Sequence, residues 1–205
     1  MRARNVNDTR DRIIAAAAEL FQRLGYTGTG LKQISRQSGA PFGSMYHFFP
    51  GGKEELTAET LRWSGAGYQL IVESVLENAP DLLTGLHDCF AGAADVLVAT
   101  DFADACPIET VALEVASSNE QLRLVTADIF DGWIQAIASH LGAGGLEPAK
   151  ARDLGIAFIA SLEGAFVLAR ALKSTEPMFA AARATVAATK DALDHQPNEG
   201  KRRGT

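Results

Sequence analysis

An all-α chain is the fold class this 205-residue sequence predicts, and three observations carry that expectation. Proline is sparse, with 7 in the chain, while alanine-rich segments recur, a balance that favours helix. Apolar residues return every three or four positions, the helical period. Sustained alternation of apolar and polar residues, the mark of a half-buried strand, is missing. Hydrophobic residues make up 47% of the chain, enough for a small N-terminal module and a larger helical body.

The elements follow in order. Residues 1–8 read as a disordered arm. Thr9 caps a first helix over 10–24, in which Ile13, Ala17, Leu20, Phe21 and Leu24 share a face; Gly25 ends it. Thr29 caps a short second helix over 30–38 with Leu31 and Ile34 as its apolar positions. Gly39-Ala40-Pro41 is a turn, a third short helix covers 42–48, and Pro50-Gly51-Gly52 breaks it. A long fourth helix over 53–78 places Glu54 and Glu55 at its positive end. Pro80 opens a fifth helix to residue 103, and Cys106-Pro107 opens a sixth to residue 118. Asn119 caps a seventh that runs to Leu141. The loop 142–145 precedes an eighth helix over 147–173, with Pro148 in its first turn. Pro177 stands at the start of a ninth, ending before Pro197, and 197–205 form a flexible basic tail. The division expected is 1–52, 53–196 and 197–205.

The net charge of −6 conceals an asymmetry. Residues 1–53 hold eight Lys/Arg against three Asp/Glu, whereas residues 54–205 hold eleven against twenty-two. A basic head on an acidic body presents one end to a polyanion and repels it elsewhere. A merely solvated basic terminus accounts for the same charges, so charge leaves both readings open.

Cys89 and Cys106 lack CxxC or Cys/His ligand spacing and read as free thiols of a reducing compartment. His87, Cys89 and His140 do not make a metal site, because the first two lie two positions apart on a helix and face different ways. Residues 1–12 are polar, and the apolar run 13–18 is too short for a signal peptide. The stretch 154–169, which contains Gly155, Glu163 and Gly164, reads as too short for a membrane span. A soluble, cytoplasmic protein without metal or other cofactor is expected. Neither a nucleophile–base pair nor a metal cluster stands out, so catalysis is not expected.

Residues 25–56 carry the chemistry. Two short helices joined by a glycine turn and braced by an amphipathic helix make a helix-turn-helix, whose second helix fits the major groove of DNA. Gly43 removes a side chain where the helix start must approach base edges, and Ser44 pairs with either donor or acceptor. Tyr46 and His47 donate to phosphate oxygens. Thr29 and Lys53 stand at helix N-termini, where amides and dipole already favour phosphate. Ile34, Met45, Phe49, Leu20 and Phe21 form the core of this module.

The run Thr29-Gly30-Leu31-Lys32-Gln33-Ile34-Ser35, then Gly39 through Phe49, then Lys53-Glu54-Glu55-Leu56, resembles the DNA-binding signature of the TetR family. The inserted Pro50-Gly51-Gly52 and the later Cys106-Pro107-Ile108 with Val111-Ala112-Leu113-Glu114 are similar to its LmrA/YxaF-like branch. The resemblance implies a homodimer whose first three helices bind a near-palindromic double-stranded operator and whose remaining helices hold a small-molecule inducer. It carries DNA contact onto Thr29, Gly43, Ser44, Tyr46, His47 and Lys53, with Lys32 added to the set. Phe42 departs from the family, which often has Lys or Arg there; it cannot pair with phosphate but can touch thymine methyls.

For the body, Phe90, Phe130, Trp133, Phe158 and Phe166 read either as plain core or as the lining of a ligand site. Glu163, one acid in an otherwise apolar helix, either pairs at a dimer seam or reads a ligand. The eighth helix is apolar nearly all round and must bury two faces. Ala157, Ser161, Gly164, Ala165 and Leu168, with Ala182 and Val186 of the ninth, are the expected four-helix dimer seam. The function expected is a repressor released from its operator by a small apolar or aromatic ligand. The alternative is a helical adaptor, or an activator without small-molecule induction.

Overall fold

The computed structural model describes residues 6–195, and among them it has nine α-helices and no strand. They are α1 (Val6–Leu24), α2 (Leu31–Ser38), α3 (Phe42–Phe48), α4 (Gly52–Asn78) and α5 (Leu82–Ala99), followed by α6 (Pro107–Val115), α7 (Glu120–Ala143), α8 (Pro148–Leu172) and α9 (Glu176–Asp194). The arm expected over 1–8 is corrected at its end, since residues 6–8 already belong to α1; residues 1–5 and the tail at 197–205 lie outside the described residues.

Boundaries shift where a cap decides them. Thr9 lies inside α1 and its hydroxyl accepts from Arg12 Nη2 at 3.3 Å, so it is not the cap. Gly30, in extended backbone and with no side-chain bond, replaces Thr29 as N-cap of α2. α5 starts at Leu82 because the Asp81 carboxylate accepts from the Thr84 N–H at 2.9 Å. It stops at Ala99, short of 103, as Asp101 and Phe102 turn left-handed. Asn119 does cap α7, accepting from the Leu122 N–H at 2.9 Å.

α1, α2 and α3 close over Ile13, Ala17, Phe21, Ile34, Met45 and Phe49, all buried. Leu56 and Leu61 from the first turns of α4 complete this core, so α4 belongs to head and body alike. Gly25 ends α1 at φ +70, and a Cβ there would sit 1.8 Å from Glu114 Oε1 of α6. Backbone conformation and the close approach of the body both require glycine.

In the body, α8 packs on α7 and α9, α5 on α9, and α4 on α7. The Phe90 and Phe158 rings meet edge to face at 5.1 Å between α5 and α8. α4 and α7 are pinned by Trp133 Nε1, which donates to the Gly65 carbonyl at 2.9 Å. By length and composition α5 and α8 are both long and apolar enough to cross a membrane, which corrects the reading of 154–169 as too short. Here each packs against other helices of the bundle.

Candidate nucleic-acid interface and effector cavity

α2 and α3 sort their residues by face. Ile34, Ala40 and Met45 point inward, and Arg12 Nη1 holds the end of α2 by donating to the Ser38 carbonyl at 2.5 Å. Outward stand Lys32, Pro41, Phe42, Gly43, Tyr46 and His47, with Ser44 half-buried. Arg36, one turn after Lys32, joins this surface and was missed; its i,i+4 spacing from Lys32 is the signal that marks it. Phe42 and Tyr46 stack edge to face at 5.8 Å while both remain exposed. A Cβ on Gly43 would meet nothing, so no contact within the chain asks for glycine there.

Two expected contacts are corrected. Thr29 is buried: its hydroxyl donates to the Gly25 carbonyl at 2.7 Å and its N–H to Tyr26 at 3.3 Å. The left-handed turn at Gly25 folds this loop back under α1, taking Thr29 off the surface. Lys53 is also turned inward. Its Nζ donates to the Tyr26 carbonyl at 2.6 Å and lies 4.1 Å from the centre of the Tyr26 ring. Burial lowers its pKa, and Glu114 works against that.

Head and body are joined by more than α4. The Glu114 carboxylate of α6 accepts from the N–H groups of Tyr26 at 2.9 Å and Thr27 at 2.7 Å. Asn119 donates to Glu54 at 3.0 Å. Arg23 pairs with Asp104 at 2.7 Å, and Gln22 donates to the Tyr68 hydroxyl at 2.6 Å.

A cavity of about 220 Å³ lies between α4, α5, α7 and α8, closed at one end by the loop before α6 and by Gln22 of α1. Trp133, Glu163 and Phe166 of the expected lining face it. Phe90 and Phe158 do not: both are fully buried in the core behind α5 and α8. Phe130 stands behind Trp133, edge to face at 5.6 Å, away from the space. Tyr68, Gln22, Asp104, Cys89 and Cys106 line it and were missed, because loop and helix ends from distant parts of the chain bring them there.

Glu163 faces the cavity. Its Oε2 is buried with no hydrogen-bond partner among the described residues. Burial pushes this carboxyl up to about 8; Glu109 adds to the rise, and the Cys106 thiol pulls the other way. Burial raises the Cys106 thiol well above its ordinary value, so it is no ready nucleophile. Folded protein keeps the Glu163 proton up to about 8, whereas an unfolded chain releases it near the ordinary 4.5. Stability therefore falls as pH rises through that window and levels off above it. Glu163→Gln is expected to flatten the fall, with its largest relative stabilisation, on the order of a few kcal/mol, on the alkaline side. Urea midpoints measured across the window test this; parallel profiles for the two proteins would refute it.

The family model described as bacterial regulatory proteins, tetR family, matches residues 13–60. The model of the LmrA/YxaF-like transcriptional regulator C-terminal domain matches 83–184. The chain is 33% identical over 171 residues to the HTH-type transcriptional regulator YxaF of Bacillus subtilis, covering 83% of this chain and 90% of that one. It is 25% identical over 175 residues to the HTH-type transcriptional repressor DhaR of a Mycobacterium species, with 82% and 86% covered. A solved TetR regulator from Legionella pneumophila shares the fold at a TM-score of 0.78 and 19% identity, over 90% of this chain and 97% of that one. With these matches spanning head and body, the chain belongs to the TetR family of DNA-binding transcriptional regulators, in its LmrA/YxaF-like branch.

Proposed function

We propose that the protein is a cytoplasmic homodimeric repressor that leaves its operator when a small apolar or aromatic molecule fills the cavity. One observation carries the DNA-binding half: an exposed face of Lys32, Arg36, Phe42, Gly43, Tyr46 and His47 on two short helices whose other face is buried. Gly43 opens the start of α3 to base edges, Ser44 reads them, and Phe42 meets thymine methyls. Lys32, Arg36, Tyr46 and His47 take phosphates. DhaR, a repressor by name, supports repression over activation.

The dimer reading rests on α8. Ile156, Ala157, Gly164, Val167, Leu168 and Leu172 leave an apolar, small-residue strip uncovered. Ser161 and Val186 border it, half-buried. Ala165 and Ala182, expected in the seam, are 3% and 0% exposed within the single chain and belong to its own core. Ala184 and Ala187 take their place on α9.

Release requires that the ligand bind the DNA-incompetent form better. Gln22, Tyr68 and Asp104 line the cavity and also tie α1 to the body, so a ligand at that end competes for the bonds that position the head.

The test is binding to a two-half-site operator, with half-sites about 34–36 Å apart or more, over a range of salt. Ser44→Ala is expected to change preference among operator variants by about 1–3 kcal/mol while leaving random-sequence binding unchanged. Equal losses on both kinds of DNA would remove Ser44 from the reading set. Lys53→Ala is now expected to lower the thermal midpoint as well as operator affinity, since its ammonium braces the Tyr26 loop.

A further inference from the structure

We infer that the cavity takes an organic cation, a ring-bearing apolar body with one protonated amine whose N–H groups are received by Glu163. The inference rests on the cavity being the effector site. Its first support is the Glu163 Oε2, buried and unpartnered at the cavity wall, an acceptor with nothing to accept. The second is the charge of the wall. Glu163, Asp88 and Asp104 line it, and no Lys, Arg or His does. The third is aromatic: Tyr68, Trp133 and Phe166 line it, and aromatic rings attract a desolvated cation. The polar groups of two of these rings are already engaged, Trp133 Nε1 with Gly65 and the Tyr68 hydroxyl with Gln22.

Every charged or titratable neighbour agrees in sign or is spent. α6 contributes Glu109 and the Cys106 thiol before its first turn, α4 contributes Tyr68, and α5 contributes Cys89 and the half-exposed Asp88, which lies 3.1 Å from His87 Nδ1. Asp104 is paired with Arg23 of α1 at the protein surface. Arg170, on the same helix as Glu163, donates to the Phe102 and Ala103 carbonyls and acts on Glu109. A carboxylate ligand would meet no Lys, Arg or His on the wall and the acceptor oxygen of Glu163 beside it. A neutral alcohol would satisfy the Glu163 oxygen and gain nothing from the rest. Because Glu163 holds its proton at neutral pH, seating the amine ionises it: the carboxyl proton passes to solvent and the carboxylate accepts the amine N–H.

Isothermal titration of the full-length protein with 2-naphthylmethylammonium, 2-naphthylmethanol and 2-naphthoate tests this, since the three differ mainly in charge. The ammonium is expected to bind at least about tenfold tighter than the alcohol, and the naphthoate not at all. Heats in two buffers of different ionisation enthalpy should show a proton released with the ammonium alone. Glu163→Gln should bring the ammonium down to the alcohol and abolish the proton release. An alcohol as tight as the ammonium, an ammonium that releases no proton, or no binding by any of the three overturns the inference; the first two need no variant. Operator release is read separately by fluorescence anisotropy. Ammonium that binds with proton release yet leaves the operator bound sustains the ligand class and refutes induction through this cavity.

Discussion

Gly164→Arg is expected to turn the dimer into a monomer and lower operator affinity by about a hundredfold or more, because the two heads then bind half-sites independently. Gly164 sits in the middle of the uncovered strip of α8, and a Cβ at this position meets nothing within its own chain. A long charged side chain there is harmless to the single subunit and intolerable in a close-packed apolar seam. The variant should therefore keep its helical content and thermal cooperativity while light scattering reports half the mass. A Gly164→Arg protein that stays dimeric would sink the four-helix seam through α8. One that unfolds would place the glycine in the subunit core, against the structure. Ala182→Arg supplies the contrast: Ala182 is wholly buried among α5, α8 and α9, and its replacement should unfold the chain outright.

Glu114→Ala is expected to have the second-largest effect, on communication and not on either site. Its carboxylate receives the Tyr26 and Thr27 N–H groups and stands beside Gly25, so it is the firmest grip of α6 on the head. Removing it leaves two amides to find water and lets the loop whose Tyr26 carbonyl accepts from Lys53 drift from α6. The coupling between effector and operator, typically 1–3 kcal/mol in such systems, should shrink toward zero. Ligand affinity read from Trp133 fluorescence should stay within about twofold, since Glu114 is no part of the cavity wall. Full retention of coupling in Glu114→Ala would show that the signal bypasses the α6 grip and passes through α4 and the Gln22–Tyr68 and Arg23–Asp104 links.

Much of this was legible in residue order, for reasons that are local. Helix period, the glycine turns at Gly25 and Gly39, and Asn119 as a cap act within a few residues, and all appear where expected. α3 was bounded at both ends by its punctuation, Pro41 before and Phe49-Pro50 after. The outward residues of α2 and α3 followed from the same period once Ile34 and Met45 were assigned inward.

Residue types alone determined an all-helical protein with a basic helix-turn-helix head, a pair of short helices with a groove-sized second member, and a body rich in aromatic residues around one stray acid. Only the tertiary structure decided which of those residues face solvent, core or cavity. Thr29 and Lys53 have the chemistry to hold phosphate, yet the Gly25 turn and the Tyr26 carbonyl draw both inward. Phe90 and Phe166 are the same residue type on helices of similar apolarity; one closes against Phe158 and the other borders empty space, according to which distant helix packs opposite. Ala165 and Gly164 are neighbours on α8, yet one is buried in the core and the other exposed, because a helix turns about 100° per residue. Glu163 holds its proton because of burial and of Glu109, against the pull of the Cys106 thiol, and both of those residues lie more than 50 positions away in the chain. Local order sets the helices, since their hydrogen bonds close within four residues. Burial and proton affinity depend on the whole neighbourhood, which the chain assembles only by folding.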